Sequence, residues 1–241
     1  MFDRFIQQNL QAWLEKPKRK PLMLRGARQT GKTTAVKMFS RQFSQFLFFN
    51  MEIKEDRDIF EQDLVFEKLV EAMFFIKNMD RNNPSTLIFI DEIQNSSKAI
   101  SLLRYFYEYR PDLPVISAGS LLEAVIDLYN FSLPAGRVEF MYLFPVTFEE
   151  YLAASSDNTS ALDAFNTIPV PEYAHGKLLS LFHEYVMIGG MPEIIDTYLS
   201  NRNMIQLAPI YESLMTSYID DAGKYSSNQT MYNIIRHAIE S

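Results

Sequence analysis

Apolar positions along this chain switch repeatedly between two periods. Phe2, Phe5, Ile6, Leu10, Trp13 and Leu14 recur at helical spacing, so the chain opens with an amphipathic helix. Pro17 and Pro21 bracket its exit. Short apolar runs then follow at intervals: "PLMLRG", "FLFFN" (46–50), "TLIFIDE" (86–92), "LPVISAGS" (113–120) and "RVEFMYLFP" (137–145). Each has the length and composition of a strand. Between them lie segments of helical pattern: "GKTTAVKMF", residues 64–79, "KAISLLRYFYEYR" and "LLEAVIDLY". Apolar strands alternating with helices predict an α/β fold, a parallel sheet of five strands with helices on both faces.

After "TFEEYLAAS" the pattern changes. Residues 155–171 are polar with two prolines and read as a linker or an irregular excursion. Beyond them only helical spacing remains. Tyr211, Leu214, Met215, Tyr218 and Ile219 share one helical face, and Met231, Ile234, Ile235 and Ala238 repeat the spacing after the polar turn "GKYSSNQT". The expected organisation is a core over 1–154, a linker over 155–171 and a small helical lid domain over 172–241.

Composition narrows the classes. The chain has 241 residues, 47% of them apolar, which is enough for a packed core. No apolar run is long enough to span a membrane, and the N-terminus lacks the pattern of a secretory signal. The absence of cysteine excludes disulfides, thiolate zinc sites and thiol catalysis, and fits a cytoplasmic protein. A net charge of −7 does not favour nucleic acid as a partner. The run "KPKRK" (16–20) is the local exception, and it reads first as a solvated link between helix and strand.

One loop adds chemistry. Gly26-Ala27-Arg28-Gln29-Thr30-Gly31-Lys32-Thr33 matches G-x-x-x-x-G-K-[ST] between an expected strand and an expected helix, with Thr34 following in that helix. Glycines let successive N–H groups turn inward around an anion, and the helix adds its N-terminal amides and positive dipole end. Lys32 then reaches the β- and γ-phosphates of a nucleotide, and the Thr33 hydroxyl ligates Mg²⁺. The third strand supports this. Leu87 to Ile90 are continuously apolar and lead into Asp91 and Glu92 at the carboxyl end, where such sheets place ligands. Asp91 suits the Mg²⁺ position, and Glu92 suits a base for an attacking water. Neighbours on a strand point opposite ways, so the two acids divide the roles. Ser120, after the fourth strand, is a candidate for holding that water, or an N-cap for the next helix. His175, His183 and His237 show no ligand spacing and read as structural.

"GARQTGKT", "IFIDEIQ", "SAGS", "GRVEF…LFPVTFEEYL" and "GGMPE", in this order, resemble the prokaryotic AAA+-type P-loop ATPases of the archaeal-ATPase group, ATP-binding proteins with a C-terminal domain of unknown function. The resemblance covers nearly the whole chain, and Arg28 and Gln29 are among the residues that make it recognisable. It implies sheet order 5-1-4-3-2, a helical lid and then a winged helix. It also implies that Arg137 is an arginine finger, acting in cis or on a neighbouring copy, and that Pro192 of "GGMPE" touches the nucleotide. An ion pair and a helix start are the ordinary readings of those two residues. Lys177, Arg202, Lys224 and Arg236 are candidates for a second sensor, with no context to choose among them. The chain closes on "NIIRHAIES", so the winged helix is expected to be absent or unfinished.

Three functions remain open at this point. One is a Mg²⁺-dependent ATPase, with ATP and ADP as ligands, whose nucleotide state moves a lid or a protein partner, including another copy of itself. Another is a slow nucleotide switch. The third is an ATPase serving a nucleic-acid-processing system, supported only by "KPKRK" and by analogy of fold.

Overall fold

Five of the apolar runs form strands: β1 (Leu22–Arg25), β2 (Gln45–Asn50), β3 (Thr86–Asp91), β4 (Val115–Gly119) and β5 (Glu139–Tyr142). The computed structural model describes residues 2–120, 136–226 and 229–240. Contacts divide the chain into two units, residues 5–144 and residues 1–4 with 145–241. The helix expected over "LLEAVIDLY" lies outside the described residues.

In the first unit the strands make one parallel sheet in the order β2-β3-β4-β1-β5. All residues of β3 and β4 are buried, as central strands covered on both faces must be. Alternation sorts their side chains. Leu22, Leu24, Leu87, Phe89, Ile116 and Ala118 face α1 (Ile6–Leu14) and α2 (Lys32–Phe39). Met23, Leu47, Phe49, Ile88, Ile90 and Val115 face α3 (Lys54–Glu61), α4 (Phe66–Ile76) and α5 (Ser97–Tyr109). Each fully buried Phe or Leu contributes about 1.5–3 kcal/mol, so the two faces jointly hold the sheet. Trp13 Nε1 donates to the Lys20 carbonyl at 2.9 Å and fixes the exit from α1.

Helix α3 has no clear periodic signal of apolar positions in the sequence, because its segment is highly charged. It forms because Ile59 and Phe60 bury against the sheet while Asp56 accepts from the Asn50 backbone N–H at 2.8 Å.

The second unit is helical: α6 (Phe148–Ala153), α7 (Thr159–Phe165), α8 (His175–Ile188), α9 (Pro192–Asn201), α10 (Ala208–Tyr225) and α11 (Gln229–Glu240). Its core gathers Val146, Tyr151, Leu152, Ile188, Ile194 and Ile195. The expected linker over 155–171 needs correction, because it contains α7. Ala161 and Ala164, three residues apart, give that helix a small buried stripe within a polar segment. Thr147 and Glu150 form a capping box that starts α6, and Arg4 Nε donates to the buried Glu150 carboxylate at 2.8 Å. The turn between α8 and α9 is tight. A Cβ on Gly190 would lie 2.6 Å from the Val146 carbonyl oxygen, while Val146 N–H donates to the Gly190 carbonyl at 2.7 Å. On α10, Leu214 is buried and Tyr211 donates its hydroxyl to the Ile188 carbonyl at 2.7 Å. Met231 and Ile234 of α11 are exposed.

Candidate active site

The phosphate loop grows out of β1. Leu143 N–H donates to the Arg25 carbonyl at 2.8 Å, so the next residue passes close under the end of β5. A Cβ on Gly26 would lie 2.2 Å from the Leu143 carbonyl oxygen, and Gly26 has φ +150°, so only glycine fits. Gln29 (φ 61°) and Gly31 (φ 92°) are left-handed, and they curl the loop back over itself. Buried Thr30 braces it by donating to the Ala27 carbonyl at 2.9 Å. Lys32 opens α2, with Thr33 and Thr34 in the first turn. The N-cap of α2 is Gly31, which has no side chain to offer the first-turn amides. The orphan donors of α2 therefore face a loop shaped for an anion.

Lys32 is buried and its Nζ donates to the carbonyls of Gly26 (2.8 Å) and Ala27 (2.7 Å). Burial pulls its pKa down, opposed by the negative charges of Glu92 and Asp91 and assisted by Arg28. An arriving phosphate would give this ammonium stronger acceptors than two neutral carbonyls. Arg28, whose role the loop pattern leaves undefined, is thus a second cation within electrostatic reach of Lys32.

The two groups assigned to magnesium come from far apart in the chain and meet. Thr33 Oγ1 donates to Asp91 Oδ2 at 2.7 Å across 58 residues. Burial pushes the Asp91 pKa up; the Thr33 hydrogen bond opposes this, and the neighbouring Glu92 charge adds to it. A hydroxyl oxygen and a carboxylate that meet beside the loop are oxygen donors suited to a hard cation shared with phosphate oxygens. Among the described residues no group of three or more His, Asp or Glu is placed to hold a metal, so the three histidines join no such cluster.

Glu92 was expected to diverge from Asp91 by strand alternation. The structure corrects the cause. The strand ends at Asp91, and Glu92 sits in a left-handed turn with φ 50° and ψ 42°. Asp91 Oδ1 accepts from the Glu92 N–H at 3.1 Å and supports this conformation. A non-glycine residue held there costs of order 1 kcal/mol and belongs to the kind of backbone that functional sites carry. Gln94 Nε2 donates to Glu92 Oε2 at 2.5 Å. Gln94, the last residue of "DEIQ", has no periodic signature in the sequence; its position two residues after an acid is the available signal.

Ser120 follows Gly119, and Gly119 pairs with Arg25, so Ser120 enters beside Gly26. Its Oγ is buried with no hydrogen-bond partner among the described residues. The alternative reading as a cap falls on residues outside those described.

Arg137 lies elsewhere. Glu139 pairs with Leu22 at the start of β1, whereas the loop follows Arg25 at its end, so Arg137 sits at the opposite edge of the sheet from the phosphate loop of its own chain. There it donates to Glu108 at 3.1 Å and lies over the Tyr107 ring. This corrects the reading in cis. Pro192 is the first residue of α9 in the helical unit. Arg202, one of the second-sensor candidates, pairs with Glu184 at 2.9 Å. Two of the "KPKRK" cations engage their own chain: Lys16 pairs with Glu139 at 2.5 Å, and Arg19 donates to the carbonyls of Leu14, Pro111 and Asp112. Among the described residues no helix is long and apolar enough to cross a membrane.

Comparison with known proteins adds a family and a fold. Residues 18–152, more than half of the chain, match a family described as an AAA domain. The Walker-type ATPase PABY2304 of Pyrococcus abyssi is structurally similar, with a TM-score of 0.56 and 15% identity over 94% of this chain and 77% of that one. PCH-2 of C. elegans aligns more loosely, with a TM-score of 0.48 and 12% identity over all of this chain and 69% of that one. No curated protein matches the sequence.

Proposed function

This chain belongs to the AAA-domain family, is a P-loop ATPase, and we propose that it hydrolyses Mg²⁺-ATP at the carboxyl edge of its sheet with Glu92 as the base. The observation that carries this reading is the 2.7 Å bond between Thr33 and Asp91, which brings the loop hydroxyl and the strand-end carboxylate to one point. The backbone amides of residues 26–34 hold the phosphates, and Lys32 exchanges its loop carbonyls for β- and γ-oxygens. Thr33 and Asp91 would hold Mg²⁺, which would supply neutralising positive charge to the phosphates. Glu92 takes a proton from water, whose oxygen bonds to the γ-phosphorus. The bond from that phosphorus to the bridging oxygen breaks, and ADP leaves with the electron pair. Ser120 hydrogen-bonds the water or the γ-phosphate through its Oγ, which has no hydrogen-bond partner among the described residues.

Two finer parts complete the reading. Arg137 serves a neighbouring copy, consistent with its place at the far edge from its own loop. Nucleotide state is relayed to the helical unit through the junction of α8 and α9, where Gly189 has φ 72° and Pro192 starts a helix. The central test is Glu92→Gln. Turnover should fall about 10²–10⁴-fold with ATP affinity retained, whereas Lys32→Ala should lose affinity itself. Unchanged turnover in Glu92→Gln rejects the base; unchanged calorimetric affinity in Lys32→Ala rejects the cradle.

A further inference from the structure

Gln94 is a neutral side chain in a charged place. It is 8% exposed, and its Nε2 donates to Glu92 Oε2 at 2.5 Å. Its Oε1 is buried and has no hydrogen-bond partner among the described residues. A buried amide oxygen is normally paired, and leaving it unpaired is costly. Oε1 and Nε2 belong to one planar amide, so the unpaired acceptor lies one amide width from the nitrogen that grips the Glu92 carboxylate. Glu92 and the amide together therefore offer a donor two acceptors side by side. Gln94 stands in the 3-10 turn Ile93–Asn95, next to a β3 end that is wholly buried, so its backbone is well fixed.

We propose that Gln94 is a positioning residue for hydrolysis: its Nε2 aims the Glu92 carboxylate, and its Oε1 accepts a hydrogen from the same water that Glu92 deprotonates. The inference rests on Glu92 being the base. A water held by one acceptor can still rotate, whereas two acceptors direct both hydrogens and leave a lone pair for the γ-phosphorus. The amide suits this task because it donates and accepts at once, and it adds no charge to a site that already holds Asp91 and Glu92. A Glu at 94 would lose the donor and repel Glu92, and a Met would fill the same space with neither function. The bond also restrains Glu92 in its left-handed turn, so that the carboxylate is already placed when ATP arrives.

The test uses Gln94→Met and Gln94→Glu in the full chain, with single-turnover hydrolysis of ATP, ATP affinity by calorimetry and thermal unfolding measured on each. Both variants should keep ATP affinity and melting temperature near those of the parent and lose about 10–100-fold in the hydrolysis rate, with Gln94→Glu the slower. The substitution Gln94→Met should cost little more when Glu92→Gln is already present, because the two residues act on one water. A rate within threefold of the parent in Gln94→Met, or a rate loss matched by an equal loss of affinity or stability, overturns the proposal. If Glu92→Gln turns over normally, the base reading fails whatever Gln94 does. If Glu92→Gln is inactive and Gln94→Met is not, only the role of Gln94 falls.

Discussion

Replacing Asp91 with Asn should raise the stability of the metal-free protein while weakening its hold on Mg²⁺-ATP. Asp91 is 4% exposed, its pKa is pushed up chiefly by burial, and the adjacent Glu92 charge pushes the same way. Asn keeps an acceptor for the Glu92 N–H, turns its amide NH2 toward the Thr33 hydroxyl, which then accepts instead of donating, and removes the buried charge. Stabilising point substitutions commonly contribute about 0.5–2 kcal/mol, and removal of this buried charge is expected to fall in that range. For a chain of this size that is roughly 1–8 °C in melting temperature. The pH dependence has a definite sign. A carboxyl whose folded pKa is raised contributes stability that is full below its unfolded pKa and is lost as pH rises through the folded one. The gap between variant and parent should therefore be small at about pH 4 and open toward neutrality. Ligand reverses the order. At a nucleotide concentration 100 times Kd the parent gains about 2.7 kcal/mol; a variant bound 100-fold more weakly gains only about 0.4 kcal/mol at that concentration. The single tryptophan, Trp13, is buried against the sheet, so its fluorescence during denaturation in EDTA, and again with Mg²⁺-ATP, reports on the unit that holds the site. A variant less stable than the parent at neutral pH without metal, or a gap indifferent to pH, refutes the assignment of Asp91 as a strained, ligand-ready carboxylate.

Gly26→Ala should cost about 2 kcal/mol or more and abolish ATP binding, because its Cβ meets a backbone oxygen at 2.2 Å and cannot escape by rotation; a Trp13 denaturation midpoint near the parent value would contradict it. Arg4→Ala should destabilise the helical unit by about 3–5 kcal/mol, read by circular dichroism, since it strips a partner from the buried Glu150 carboxylate; a loss under 1 kcal/mol would make the pair incidental. Arg137→Ala should cost under about 1 kcal/mol of stability, because its pair with Glu108 is exposed. If it serves a neighbour, the variant should lose up to about 10³-fold in turnover at concentrations where the parent self-associates, and nothing when dilute. An unchanged rate at every concentration removes that role.

The sheet was legible because its physics is local. A strand buried on both faces must be apolar throughout, so "LIFID" and "VISAG" announce themselves, and the loop pattern adds the order of strand, turn and helix. Sheet order came only with the family resemblance, since periodicity is blind to which strands are neighbours. The misses follow from tertiary burial overriding local signal. Helix α3 is charged along most of its length and depends on Ile59 and Phe60. Helix α7 hides in a polar stretch because alanines suffice where a neighbour lies close.

The site divides along the same line. Lys32, Thr33 and Asp91 were legible because each sits at a fixed offset from a strand end, and parallel strands bring those ends to one edge. Arg137 could be placed as a residue before β5 but not given a target, because a strand has two ends and only the register of Glu139 on Leu22 says which one it occupies. Glu92 shows the limit most sharply. Its identity was readable, its geometry was not: the direction of its carboxylate is set by a left-handed backbone and by Gln94, two features without a periodic signature. Chemistry that depends on composition at an offset can be read along the chain; chemistry that depends on the angle between neighbouring side chains has to be read in space. Hydrolysis needs the second kind, because a cradle binds phosphate wherever amides converge, whereas a water must be aimed.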